Sequence, residues 1–184
     1  MRILWAVSII LTISFSQTTI FAQETVESKV FKLIKQKDWQ NAYNFSNKIG
    51  NQPLKKIVLS QQFLDTNYSG NSFEKIVKFL QANPGWPQEA GLKVSAESLL
   101  NGTTDSSLVF KWFQNNKPLT GRGYKYYALA AGKIIKDSQK LSPIIKKGWH
   151  NGSFSMSEQK AYQAAFKNYL DIKDHIKRID NLLF

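Results

Sequence analysis

The chain has 184 residues, no cysteine, and 25 basic against 13 acidic side chains, which gives a formal net charge of +12. Its 42% hydrophobic content is enough for a folded core, and its length suits one domain or a segment of a larger array. The composition excludes disulfides, thiolate metal sites and cysteine nucleophiles, and it argues against nucleic-acid binding because only Arg2, Arg122 and Arg178 are arginines.

Residues 1–22 have the pattern of a secretory signal peptide. Arg2 gives a positive start, a mostly apolar run extends from Ile3 to Ile13, and Ala22 offers a cleavage position after small and polar residues. The run is too short to be a membrane-spanning helix. We therefore expect export to the periplasm and no integral membrane segment in residues 23–184. An uncleaved N-terminal anchor is the alternative.

Apolar residues at helical spacing predict helices along the whole of residues 23–184. The segment from Asn83 to Pro87 is the strongest break, because two prolines flank a glycine there. Pro87 is predicted to start the next helix, and Asn101-Gly102 to end it in a left-handed cap. Asn71 and Glu74 are predicted to cap the helix that begins at Phe73, and residues 117–123 to form a loop. The stripes before residue 150 are centred on Val30, Trp39, Leu54, Phe73, Leu92, Val109, Tyr124 and Leu141.

The last third, Leu141 to Phe184, predicts three helices with short connections. Ser155 and Glu158 form the S-x-x-E pattern of a capping box before one of them. The final helix has an apolar stripe of Ile172, Ile176, Ile179 and Leu183. Only Leu170-Asp171 separates the last two helices, so the spacing predicts a tight antiparallel hairpin between them.

No segment alternates polar and apolar residues with a period of two, so we expect an all-α chain of about ten helices. We predict a superhelix (solenoid) of stacked antiparallel helix hairpins over residues 23–184, because hairpins with an exposed apolar face bury it by stacking on their neighbours. The chain has no strict repeat, which leaves a compact irregular bundle as the alternative. His150 and His175 lack acidic partners at zinc-protease spacing, and we predict no catalytic residue, no cofactor and no metal site.

Several short phrases follow one another in a set order between about Leu54 and Phe184, and they include Pro118-Leu-Thr-Gly121, Tyr126 to Gly132 and the end Leu182-Leu183. Their most distinctive residues, interpreted as structural, are Trp86, Trp112, Trp149, Asp174, His175, Arg178 and Asp180. Taken in this order, the phrases resemble the N-terminal superhelical region of periplasmic soluble lytic murein transglycosylases. Residues 23–50 match that region only in their helical character.

The resemblance implies a superhelix that holds peptidoglycan glycan strands. Family members cleave the glycan with one Glu, usually in a Glu-Ser context, in a C-terminal lysozyme-like domain that continues beyond the position matching Phe184. The resemblance therefore implies that the catalytic domain is absent, as in a truncated or split gene product. Glu97-Ser98 is the only Glu-Ser pair, and it is interpreted as part of a structural helix.

The expected function is thus that of an exported, non-catalytic helical part of such an enzyme. Its expected partners are glycan strands or a separately encoded catalytic domain. A periplasmic helical-repeat scaffold that binds other proteins is the alternative, and an enzyme with an unrecognised site is a third hypothesis. A set of lysines is a candidate for contact with anionic wall polymers or for a solvated helix face: Lys133, Lys136, Lys140, Lys146 and Lys147.

Overall fold

The computed structural model describes residues 25–183, and within this range the chain is all-α, with ten α-helices, one short 3₁₀ turn and no strand. The all-α prediction is confirmed. The predicted signal peptide, residues 1–22, lies outside the described residues. The helices are α1 (Val26–Lys35), α2 (Trp39–Lys48), α3 (Gln52–Leu64), α4 (Phe73–Ala82), α5 (Glu89–Ser98), α6 (Ser106–Asn115), α7 (Gly121–Ile134), α8 (Ser138–Asn151), α9 (Met156–Phe166) and α10 (Ile172–Leu183), with the 3₁₀ turn at Lys167–Tyr169 after α9.

Side-chain caps explain where most helices begin. An oxygen of the residue before each of these helices accepts a hydrogen bond from a backbone N–H in the first turn, which would otherwise have no partner. The capping box of Ser155 and Glu158 is confirmed, with both reciprocal bonds present. The other caps are Thr25, Asp38, Asn51, Ser72, Asp105, Thr120 and Asp137.

Three predicted boundaries are wrong. Ser72, not Asn71, caps α4, and the Asn71 amide instead donates to the carbonyl oxygens of Gln62 and Asp65. α5 ends at Ser98, and Gly102 does not have the left-handed conformation that a glycine cap requires. α7 begins at Gly121, inside the predicted loop, because the Thr120 hydroxyl caps it.

Most contacts between helices join neighbours along the chain, such as α2 with α3 and α6 with α7, and some join every second helix. α1 contacts α3, α3 contacts α5, α5 contacts α7 and α7 contacts α9, so the odd-numbered helices form one continuous series of contacts. The buried apolar residues fall into three clusters, located around Val58 near the start of the described chain, Leu92 in the middle, and Trp149 near the end. α7 joins the last two, because Ala130 packs in the middle cluster and Ala131 in the final one.

α10 does not pack as the sequence predicts. It packs mainly against α8 and reaches α9 through a hydrogen bond from Arg178 to Gln159, so the predicted tight hairpin of the last two helices is wrong. Asp174 and Arg178 point inward and are buried, whereas the stripe of Ile172, Ile176 and Ile179 is exposed to solvent. The helix therefore uses its polar face for packing and leaves its apolar face open.

No helix within residues 25–183 combines the length and the apolar character that crossing a membrane requires.

Candidate functional site

An open groove of about 690 Å³ lies between α2, α3 and α4. Its size is in the range of ligand-binding clefts. Aromatic rings, amide groups and lysine ammonium groups share its lining, which gives it apolar faces, hydrogen-bonding groups and positive charge together. The residues used in the argument below are Trp39, Tyr43, Lys55, Gln62, Tyr68 and Lys75, and we call this cavity the α2–α4 groove.

Hydrogen bonds hold the aromatic wall of the groove in place. The Trp39 indole donates to Asp65 over 3.1 Å, and the Lys37 ammonium donates to the other carboxylate oxygen of Asp65 over 3.2 Å. Burial opposes ionisation of Asp65, but these hydrogen bonds outweigh it and hold the pKa of that carboxyl below its usual value. Trp39 is therefore held in a fixed position in the lining of the groove.

The lysines of the groove are held by local contacts. The Lys55 ammonium lies 4.9 Å from the centre of the Tyr43 ring and donates to the Asn47 side chain over 3.0 Å. The Lys75 ammonium donates to the carbonyl oxygen of Gly70 over 2.6 Å. Each ammonium group keeps further donors for a ligand, because a lysine has three and these contacts use only some of them.

Glu97 is buried, and both oxygens of its carboxylate are hydrogen-bonded within the fold. It is 1% exposed, and its two carboxylate oxygens accept hydrogen bonds from the backbone N–H groups of Leu119 (2.8 Å) and Thr120 (2.7 Å) and from the Thr120 hydroxyl (2.6 Å). Burial raises the pKa of Glu97, while these hydrogen bonds act in the opposite direction. The carboxyl group ties α5 to the start of α7 and has no access to a polymer, in agreement with its structural interpretation.

Of the three tryptophans that carry the resemblance, Trp112 and Trp149 lie in the core and Trp86 is half-buried beside it. Trp86 packs edge-on against Phe79, with ring centres 5.2 Å apart. Trp112 is 6% exposed within the middle cluster. Trp149 is 1% exposed and stacks on Phe154 and Tyr162 in the final cluster. They contribute apolar area and aromatic contacts to the packing between helices.

Asp174 and Arg178, two of the residues that carry the resemblance, join α10 to the elements before it. Asp174 accepts hydrogen bonds from Lys146 (2.7 Å) and contacts the His150 ring nitrogen (2.9 Å), both on α8. Arg178 donates to the carbonyl oxygens of Trp149 (2.6 Å) and Gly152 (2.9 Å). All of these bonds are charge-assisted, which makes them stronger than neutral ones, and those of Arg178 are also buried.

His175 and Asp180, the other residues that carry the resemblance, make fewer contacts. The His175 ring is half-buried and packs edge-on against Trp149, with centres 5.3 Å apart. Asp180 is exposed on α10. Among the candidate lysines for wall polymers, Lys146 is paired with both Asp171 and Asp174 and is thus part of the structure. Within residues 25–183 no group of three or more His, Asp or Glu side chains is placed to hold a metal ion.

Sequence reasoning missed the α2–α4 groove. Its residues come from three helices and two loops, and they are not close in the sequence. The only available signal was the concentration of tyrosine, glutamine and lysine between residues 39 and 78. The chain was compared with protein-family models, with curated proteins and with solved structures, and none of the three comparisons gave a match.

Proposed function

We propose that this chain is an exported, non-catalytic helical module that binds peptidoglycan glycan strands. In this proposal it corresponds to the superhelical region of periplasmic soluble lytic murein transglycosylases. The observation that carries the proposal is the α2–α4 groove, where tyrosine rings, amide groups and ammonium groups face one open cavity. The sequence resemblance and the signal-peptide pattern of residues 1–22 give additional support.

The groove has the chemistry that a glycan strand requires. The C–H faces of a sugar ring are apolar and pack on aromatic rings such as Tyr43 and Tyr68, which have an apolar body and a polar hydroxyl. Gln62 has both donors and acceptors for sugar hydroxyl and acetamido groups. Lys55 and Lys75 attract the carboxylates of the peptide stems that a glycan strand of the wall carries.

Glu97 supports the non-catalytic part of the proposal. A glycosidic acid or base must reach the glycosidic oxygen and exchange a proton with it. Glu97 is 1% exposed, and both its carboxylate oxygens accept hydrogen bonds from Leu119 and Thr120. Cleavage in this proposal is supplied by a separately encoded catalytic domain.

The test is co-sedimentation of the purified full chain with isolated murein sacculi, followed by analysis of the soluble fraction. We expect the chain to pellet with the sacculi and the soluble fraction to contain no anhydromuropeptides. A chain that stays in the supernatant would overturn the binding proposal. Release of anhydromuropeptides would overturn the non-catalytic one.

A scaffold for protein partners is the second candidate, and the exposed apolar face of α10 is the observation that favours it. Large apolar patches on a surface mark protein interfaces. Recovery of one specific protein by the immobilised chain, together with no binding to sacculi, would support the scaffold against the glycan-binding module.

A further inference from the structure

α10 has two faces of opposite character. Asp174 and Arg178, on one side, are 5% and 4% exposed and bind α8 and the loop after it. The opposite side holds four large apolar residues that are more than half exposed: Ile172 71%, Ile176 52%, Ile179 55% and Leu183 70%. Leu182 is also exposed (61%) but lies nearer to the Arg178 side of the helix. A contiguous apolar surface of this kind marks an interaction site.

The spacing of the stripe is symmetric. Successive members of Ile172, Ile176, Ile179 and Leu183 are four, three and four residues apart, so the stripe has the same spacing in both directions. If two copies of α10 pair in antiparallel fashion about the midpoint between 177 and 178, Ile176 meets Ile179 of the second copy and Ile172 meets its Leu183. A two-fold contact requires this self-complementarity.

The charges beside the stripe fit the same pairing. At about 100° per residue, Lys173, Lys177 and Asp180 all fall on one flank of the stripe. In the antiparallel pair, Asp180 lies opposite position 175 of the second copy, between Lys173 and Lys177 and about 3 Å along the axis from each. All three side chains are exposed, and none has an ion-pair partner within residues 25–183.

We propose that α10 is a homodimer interface, in which the apolar stripes of two copies pack antiparallel and Asp180 of each copy pairs with Lys173 and Lys177 of the other. This inference does not depend on glycan binding, because α10 lies at the opposite end of the described chain from the α2–α4 groove. One helix face from each copy is a small interface, so the dimer is expected to be weak and to form at high concentration.

The first test is sedimentation equilibrium of the full chain over a concentration series. We expect a reversible monomer–dimer equilibrium that Ile176→Glu weakens by at least about tenfold, because the new carboxylates are forced into an apolar contact. Val94→Glu on α5 is the matched control, since Val94 is also an exposed apolar residue of a helix (44%) and is expected to leave the dimer unchanged. Ile176 is exposed, and circular dichroism checks that its variant keeps the fold.

A charge exchange tests the register. Asp180→Lys gives a chain with three positive charges on the flank, and Lys173→Glu combined with Lys177→Glu gives one with three negative charges. Each alone is expected to lose the dimer, and a mixture of the two is expected to form a heterodimer, with Val94→Glu again as control.

A monomeric wild-type chain at concentrations up to about 1 mM overturns the proposal. So does a dimer that Ile176→Glu leaves unchanged, which would place the contact elsewhere. A mixture of the two charge variants that stays monomeric overturns the antiparallel pairing and leaves α10 to a different protein partner.

Discussion

The guanidinium group of Arg178 lies 4.6 Å from the centre of the Trp149 ring and also donates a 2.6 Å hydrogen bond to the carbonyl oxygen of Trp149. One side chain of α10 thus contacts both the ring and the backbone of a residue in the last turn of α8. It also satisfies the Gly152 carbonyl oxygen just beyond that helix. The last carbonyl groups of a helix have no hydrogen-bond donor inside the helix, and Arg178 provides donors for two carbonyl groups at this end of α8.

Arg178→Ala should therefore lower the free energy of unfolding by about 2–4 kcal/mol, because it leaves buried carbonyl oxygens without donors and removes the contact with Trp149. Arg178→Lys should recover only part of the loss, since an ammonium group cannot reproduce the planar fork. The measurement is urea denaturation of dilute protein. Lys177→Ala, on the exposed side of the same helix, is the control and should change stability by less than about 0.5 kcal/mol. Equal effects of the two alanine variants would show that Arg178 has no special role.

Glu97→Gln should destabilise the fold by about 1–3 kcal/mol. Glutamine has one acceptor oxygen where the carboxylate has two, so its amide group would face the N–H of Leu119 or Thr120. Denaturation midpoints measure the loss, and Glu74→Gln on the exposed side of α4 is the matched control. If the two variants are equally stable, the hydrogen bonds to Glu97 do not hold α5 to α7.

Gly123→Ala should also destabilise, by about 1–3 kcal/mol, because a methyl group at this position would overlap the carboxylate of Glu97. The matched control is Gly102→Ala, where the added carbon has no atom within 4 Å and the backbone is not left-handed. Thermal denaturation of the two variants compares them directly. A neutral Gly123→Ala would mean that the Glu97 side chain moves aside at little cost.

The lowered pKa of Asp174 predicts that the fold loses stability in acid. Burial alone would raise the pKa of Asp174, but hydrogen bonds from Lys146, the Asp171 backbone and His150 outweigh it, so the pKa lies below 3.8 in the fold. Asp174 therefore binds a proton more readily in the unfolded chain than in the folded chain. The stabilisation by its carboxylate is fully present above pH 3.8 and is lost as the pH falls through the lower pKa of the folded state.

Urea denaturation at several pH values checks this dependence in wild type and in Asp174→Asn. The difference in unfolding free energy between the two proteins should be largest above about pH 5 and should shrink below 3.8. A difference that stays constant across this range would contradict the role of the carboxylate charge.

Reversal of charge in the α2–α4 groove should weaken binding to murein sacculi. Lys56 is exposed and lines the groove. Lys56→Glu should reduce the pelleted fraction, and added salt should reduce binding of the wild type, because solvent-exposed charges are screened. Lys160→Glu on α9 makes the same charge change away from the groove and should bind as wild type. If both variants lose binding equally, only the net charge of the chain matters.

Local signals in the sequence predicted most of the helices. Ser155 with Glu158 marks a helix start through bonds within four residues, so no tertiary information is needed. The buried stripes of the early helices, such as Phe73 and Ile76 on α4, were also predictable, because their apolar face is the one that packs.

The sequence failed where distant groups decide the packing. The rule that the apolar face turns inward fails for α10, because Arg178 finds acceptors on Trp149 and Gly152, which no pattern inside α10 reveals. The hydrogen-bond partners of Glu97 are likewise distant in the sequence, since Leu119 and Thr120 follow it by 22 and 23 residues. The groove is lined by residues of three helices, and the sequence does not show that these residues lie close together in space.

The series of contacts between odd-numbered helices has a kinetic consequence. Since each helix contacts mainly its near neighbours in the chain, few contacts close long loops, and folding can start in one region and propagate to the next. The cluster around Val58 has only four buried apolar residues, against thirteen in the middle cluster. The amides of α1 and α2 should therefore exchange with solvent faster than those of α4 and α5, through opening of that end while the remainder stays folded.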